Sequence, residues 1–270
     1  MSTSVFDLKA SKRRCVQYRR RILEISQRVP ALHIGGAFSA LELLDTIYFG
    51  LMRREGKNPD TFILSKGHGA MAQYCILEHL GLLTREELDG CGRDGGKLGM
   101  HPDFGTPGIE ASTGSLGHGL PIALGMALAD KTFVSERRVF IVMSDGEVQE
   151  GSVWESLMLA PTLKLNNIIA AVDLNDFQSL GQISKSHPNF YPVGEKMRSF
   201  GWETVELNGH DQQAIYNAVT QRKGLAPLMI VARTTKGKGV SYMENVPIWH
   251  YRSPSPEEYQ KALAELKDET

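Results

Sequence analysis

Cysteine is scarce in this 270-residue chain: three in all, Cys15, Cys75 and Cys91. Their spacing matches no metal-binding pattern, and an odd count gives no closed disulfide framework. That usage favours a reducing compartment. Net charge is missing too. Thirty basic residues against 31 acidic ones leave −1, so no global field draws the chain to nucleic acid or an anionic membrane. No apolar run approaches about 18 residues, so no membrane span is expected. The N-terminal stretch MSTSVFDLKASKRR lacks the apolar core of a signal peptide. Repeats and low-complexity tracts are absent. These absences leave a cytoplasmic soluble protein as the expectation, with an ordinary 41% hydrophobic and 23% charged composition.

The length suits one large α/β domain or two small ones. Residues 5–29 are charged and periodic, with Val16, Ile22, Leu23 and Ile25 at helical spacing. The basic runs Lys12-Arg13-Arg14 and Arg19-Arg20-Arg21 fall here and read as a solvated face or a subunit contact. A Pro/Gly-containing break precedes an apolar helix expected from about Ser39. TFILSKGHGA is a short strand-type run ending in Lys66-Gly67-His68-Gly69, and 70–80 resume a helical pattern. Residues 90–119 are irregular and rich in glycine, which marks a functional or disordered loop. A small-residue helix, LPIALGMALADK, closes it.

Four clearer strand-type runs follow, at 138–145, 167–175, 202–208 and 227–235, with helical patterns at about 152–164, 194–200 and 211–223. Near-continuous apolar strands alternating with helices argue for an α/β fold: a mostly parallel sheet with helices on both faces. The breaks are short, so a single domain over 1–270 is expected, with an N-terminal helical segment at about 1–30 and a C-terminal helix at about 255–270.

One stretch places acids at the tip of a buried strand: VFIVMSDGEVQEG, residues 139–151. In parallel sheets ligands bind at the carboxyl ends of strands. Asp145 ends one strand and Asn175 the next, one crossover apart. Both are hard oxygen donors, which suits Mg2+ completed by phosphate or water. Gly146 lets backbone approach a phosphate, with its N–H pointing outward at a helix start. The alternative is that Asp145 caps a helix and Asn175 makes a turn.

SDGEVQEG…NIIAAVDLNDFQSLG resembles the thiamine-diphosphate motif, Gly-Asp-Gly followed about thirty residues later by Asn. ALHIGGAFSALELL, FILSKGHGA, GMHPDFGTPGIEASTGSLGHGLPIALGMA and TTKGKGV…WH resemble transketolase in the same order, over about 15–255. The resemblance implies thiamine diphosphate with Mg2+, or Ca2+ or Mn2+ in its place. Asp145, Asn175 and the carbonyl of Phe177 would hold the metal. His68, Gly146 and His250 would meet the diphosphate, with Glu147 and Gln178 beside them. Gly114, Ser115 and Leu116 would lie against the cofactor rings. His33 and His101 would face the reacting carbon chain, and Lys66 and Lys236 would stand near the cofactor. Glu150 and Glu155 would sit at a subunit interface.

Imidazoles near strand-end loops suit proton movement near neutral pH, while the cofactor carries the bond chemistry. His33, His68 and His101 each sit beside Gly or Pro, or one residue away, where core packing is less natural. Departures are Ser144 for the first motif glycine, Leu32 where glycine often precedes the histidine, and Tyr251-Arg252 after Trp249-His250. The last change bears on substrate, since an arginine at a site mouth often reads a phosphate.

The resemblance implies an N-terminal subunit of a split transketolase. A C-terminal partner subunit would bring the pyrimidine-binding domain and the glutamate that activates the cofactor, in a two-plus-two heterotetramer acting on sugar phosphates. The chain alone is then expected to be inactive. The corresponding subunit of an oxoacid or unusual-sugar synthase, and a non-catalytic cofactor-binding module, are the competing readings.

Overall fold

The computed structural model describes residues 6–29, 31–179 and 181–267. The outermost parts of the expected terminal helices, 1–5 and 268–270, therefore lie outside the described residues, as does position 30. Helix α1 (Leu8–Ser26) opens on Asp7, whose carboxylate accepts the Ala10 N–H at 2.9 Å. It caps one of the orphan donors every helix start carries. Three of its arginines turn inward, correcting the expected solvated face. Arg14 meets Asp45 at 2.7 Å, Arg19 meets Glu42 at 2.7 Å, and Arg21 meets Glu78 and Asp89 at 2.9 and 2.8 Å. Lys12, Arg13 and Arg20 stay exposed.

Helix α2 (Ile34–Thr46) starts five residues earlier than expected, running through Gly35 and Gly36. Glycine disfavours a helix interior, but a Cβ on Gly35 would stand 2.9 Å from the Trp249 carbonyl oxygen. Close approach of the chain, not a break, accounts for that glycine. A π-helical turn (Ile47–Leu51) continues α2. Together Ile34–Leu51 form an 18-residue stretch of mean hydropathy 1.2 that is 83% buried: long and apolar enough for a span, but a core helix here.

Next come β1 (Thr61–Leu64), α3 (Ala70–His79) and α4 (Arg85–Asp89). The short α4 was not expected; the capping box of Thr84 and Glu87 starts it. Residues 90–118 contain no helix or strand, as expected. Then follow α5 (Gly119–Thr132), β2 (Val139–Ser144), α6 (Gly151–Thr162) and β3 (Ile168–Leu174). A two-residue hairpin pair, β4 (Phe177–Gln178) and β5 (Gly181–Gln182), leads into α7 (Ile183–Ser186). The chain ends with α8 (Val193–Ser199), β6 (Glu203–Asn208), α9 (Gln212–Thr220), β7 (Leu228–Arg233) and α10 (Pro256–Glu265).

The five main strands form one parallel sheet in the order β1-β2-β3-β7-β6. Strand side chains alternate between two cores. Phe62, Phe140, Val142, Ile169 and Ile230 face α1, α2, α3, α9 and α10. Ile63, Ile141, Met143, Ala170 and Val231 face α5, α6 and α8. Burial on both faces is why these strands are continuous apolar runs rather than alternating ones. All five strands point the same way, so one rim carries every carboxyl end: Lys66, Asp145, Asn175, His210 and Lys236 follow there.

Candidate active site at the strand-end rim

A cavity of about 700 Å³ opens at this rim. Four histidines from four segments converge on it: His33 at the start of α2, His68 in the turn after β1, His101 from the long loop, and His250 in the turn Pro247–His250. The His33 ring lies among the others, with centroids 5.7 Å from His68, 6.1 Å from His101 and 5.2 Å from His250. The loop carrying His101 is held by Tyr74, whose hydroxyl donates to the His101 carbonyl at 2.7 Å.

Burial, then the nearby His101, Lys236 and Lys66, pushes His33 down to about 4. Burial, then Lys236 and His33, pushes His250 down to about 3. Burial and Lys66 hold His68 well below the usual range. These three imidazoles are neutral near pH 7. Burial and Lys66 also bring Lys236 down to about 8, and its Nζ lies 2.9 Å from His250 Nδ1. His33 Nδ1 is buried with no hydrogen-bond partner among the described residues. The arrangement is rich in donors, with Lys236 on its wall and Lys66 behind it, and exposed Glu150 is a carboxylate on its wall. A polyanionic ligand fits such a set, because it supplies the acceptors these groups lack.

Beside the donors sits a hard oxygen set. Asp145 is fully buried between Ser144 and Gly146, and accepts the N–H of Asp176 at 2.6 Å and of Gly146 at 2.8 Å. Burial, then the charge of Asp173, raises it to about 7. Asn175 and Phe177 line the cavity next to it. A carboxylate short of countercharge, one carboxamide and space for phosphate oxygens match the needs of Mg2+.

Among the expected site residues, His33, His68, His101, His250, Gly114, Leu116, Gly146, Asn175, Phe177, Gln178, Lys236 and Glu150 all line the cavity. Others are placed differently. Lys66 is fully buried in an ion pair with Asp173 and also donates to the Gly36 carbonyl at 2.8 Å. It does not reach the cavity, although its charge is felt there. Glu147 is fully buried and accepts from Ser65 Oγ and from the Gly117 N–H at 3.0 Å. It joins three loops of the rim rather than touching a ligand. Ser115 is exposed beside the cavity. The Gly146 N–H points at Asp145, not outward. Gln178 is in the wall but tied to Gln149 at 2.6 Å. Glu155 is exposed on the outer side of α6, and neither it nor Glu150 forms an ion pair among the described residues.

Arg252 does not offer a free guanidinium. It bonds Glu258 at 2.6 Å and stacks over Trp249 at 4.6 Å, which anchors the turn carrying His250 to α10. Sequence reasoning also passed over Asp173, Ser39 and Thr234, which lie behind Asn175. The only signal for them was the Asp-Leu-Asn spacing at the end of β3.

A doubly covered parallel sheet whose rim gathers phosphate-type donors beside a hard-cation site defines a cofactor-binding α/β domain. Residues 12–258 match the family model of the transketolase thiamine diphosphate-binding domain. An apulose-4-phosphate transketolase subunit of Phocaeicola vulgatus is 37% identical over 93% of this chain and 91% of its own length. The 6-deoxy-6-sulfo-D-fructose transketolase subunit SqwG of Clostridium sp. is 37% identical over 93% of this chain and 92% of its own. The solved transketolase of Campylobacter jejuni superposes with a TM-score of 0.89 at 26% identity, covering 96% of this chain and 43% of that one. The chain thus spans less than half of the solved transketolases but most of the subunit-sized relatives. It belongs to the transketolase family and is a subunit of transferase type carrying the thiamine diphosphate-binding domain.

Proposed function

We propose that this chain is the diphosphate-binding subunit of a transketolase divided between two polypeptides. It would move a two-carbon ketol unit from an anionic ketose to an aldose. The observation that carries this reading is the convergence of four histidines and Lys236 on one cavity beside Asp145 and Asn175. Asp145, Asn175 and the Phe177 carbonyl would hold Mg2+; His68, His250 and Lys236 would meet the diphosphate. When bound, thiamine diphosphate supplies the carbon nucleophile and electron sink of the transfer. His33 and His101 would face the sugar. The neutral His33 imidazole can accept a hydroxyl proton or donate to a carbonyl. The buried carboxylate of Glu147 keeps the loops in register.

The partner would supply the pyrimidine-binding domain and its activating glutamate. Support comes from relatives described as subunits and from the outer face of α5 and α6. There Ile122, Leu128, Met158 and Leu159 are exposed around Glu155. Exposed apolar area rimmed by polar groups marks an interaction surface, and two copies of each chain would form a closed assembly. The relatives act, by their descriptions, on apulose 4-phosphate and 6-deoxy-6-sulfo-D-fructose, both anionic sugars; a sugar bearing an acid group is the proposed substrate class. Three buried, unpaired thiols suit a cytoplasmic location.

Two measurements test this. Calorimetric titration of thiamine diphosphate with Mg2+ should show binding to the chain and its loss in Asp145→Ala. A ketose-phosphate donor and aldose acceptor should give product with the co-expressed partner and none with this chain alone. Turnover by the isolated chain would refute the divided-enzyme reading.

A further inference from the structure

We propose that Asp173 is a positioning residue that fixes the Asn175 carboxamide with its oxygen toward the metal site. This rests on the cofactor reading above. Asp173 is the penultimate residue of β3 and is fully buried. Its Oδ2 accepts from Ser39 Oγ at 2.6 Å, from Lys66 Nζ, and from Asn175 Nδ2 at 3.3 Å. Its Oδ1 accepts from Thr234 Oγ1. Four donors from four segments therefore occupy its acceptor sites.

Two consequences follow for the metal. First, Asp173 is taken out of competition as a ligand, because Lys66 neutralises it and its lone pairs are engaged. Asp145 remains the carboxylate available there. Second, the Asn175 amide has one permitted orientation. Its Nδ2 faces the Asp173 carboxylate, and its Oδ1 accepts the Phe177 N–H at 3.1 Å. A reversed amide would set its oxygen against a carboxylate and its NH2 against an N–H. Both contacts break together, so orientation is determined from both sides. A second lone pair on Oδ1 stays available to a cation, with Asn175 in the cavity wall.

The test replaces the pair rather than breaking it, because half of a buried ion pair left alone unfolds many proteins. The full chain is prepared as Asp173→Leu with Lys66→Met, as Asp173→Asn with Lys66→Met, and unaltered. Mg2+ is titrated at fixed thiamine diphosphate by calorimetry, and melting is followed without ligand. The leucine pair should raise the Mg2+ Kd by roughly 10–100-fold, with apo melting close to the unaltered chain. The asparagine pair restores an acceptor for Asn175 and should recover most of that loss, to within about threefold of the unaltered chain. Unchanged Mg2+ affinity in the leucine pair would overturn the proposal, as would equal losses in both pairs. If the leucine pair does not fold, the asparagine pair decides alone: a loss of tenfold or more overturns it. Absence of Mg2+ binding by the unaltered chain would overturn the cofactor reading as well, which separates the two failures.

Discussion

Gly67→Ala places a single methyl between the two loops that build the cavity wall. A Cβ on Gly67 would lie 2.7 Å from the Gly114 nitrogen and 2.7 Å from the Thr113 carbonyl. All of these are backbone atoms, so no side chain can swing aside. Ordinary contact begins near 3.4 Å, and the loops must part by about 0.7 Å. Retreat is blocked on the far side, where Gly114 packs on the His101 ring with φ +133°. Overpacking of this kind costs about 1–3 kcal/mol. In a chain of this length that lowers Tm by roughly 2–6 °C. The larger effect should be on binding, because the shifted segment carries Gly114 and Leu116. A displacement approaching 1 Å in a ligand-positioning segment costs on the order of 100-fold. We expect thiamine diphosphate affinity, measured by calorimetry with Mg2+, to fall at least tenfold. Gly125→Ala is the control: nothing among the described residues lies within 4 Å of its Cβ, and α5 should gain up to about 1 kcal/mol. If Gly67→Ala melts and binds like the unaltered chain, the two loops are not in rigid contact.

Glu147→Ala should cost about 3–5 kcal/mol in urea unfolding, because Ser65 Oγ and the Gly117 N–H lose a buried charged acceptor; a loss under 1 kcal/mol would show that the rim loops hold without it. Acidification tests His33. Its folded pKa of about 4 lies below the unfolded value, so the stability from its neutral form is full above pH 6.5 and is lost as pH falls toward 4. The limit is about 1.4 kcal/mol per pH unit, roughly halved by solvent screening at this part-open site. Denaturant titrations at pH 6.5 and 5 should show His33→Gln losing less stability than the unaltered chain; equal losses would contradict a depressed pKa. Arg252→Ala should lower Tm by a few degrees through Trp249 and α10 while leaving the KM for phosphorylated sugars within about twofold. A tenfold rise in KM with Tm unchanged would assign Arg252 to substrate instead.

The sheet was legible because parallel strands buried on both faces need unbroken apolar runs. Each of 138–145, 167–175, 202–208 and 227–235 contains an observed strand. What the pattern misread were places where tertiary contact overrides local preference. Gly35 looks like a helix break but lies inside α2 because Trp249 presses on it. Arg14, Arg19 and Arg21 look like a solvated face, yet Asp45, Glu42, Glu78 and Asp89, which draw them inward, lie 23 to 68 residues away in sequence, beyond any local window.

The site divides along the same line. Residues that follow strand ends or follow glycine in strand-end loops, such as Asn175 and His68, carry their role in local sequence, because the strand-end rule places them. Lys66 and Glu147 occupy positions just as local, and both turn away from the cavity. Direction decides between the two groups, and packing sets direction. Lys66 faces inward because Asp173 and the Gly36 carbonyl lie behind it; Glu147 faces inward because Ser65 and Gly117 need an acceptor there. Both still act on the cavity. Lys66 depresses His68 and Lys236 through space, and Glu147 fixes the loop that presents Leu116. A buried charge behind a site can therefore set its protonation and its shape without touching a ligand. Substituting Lys66 should then shift the titration of Lys236 upward, read by NMR of its side chain, even though no atom of Lys66 lines the wall.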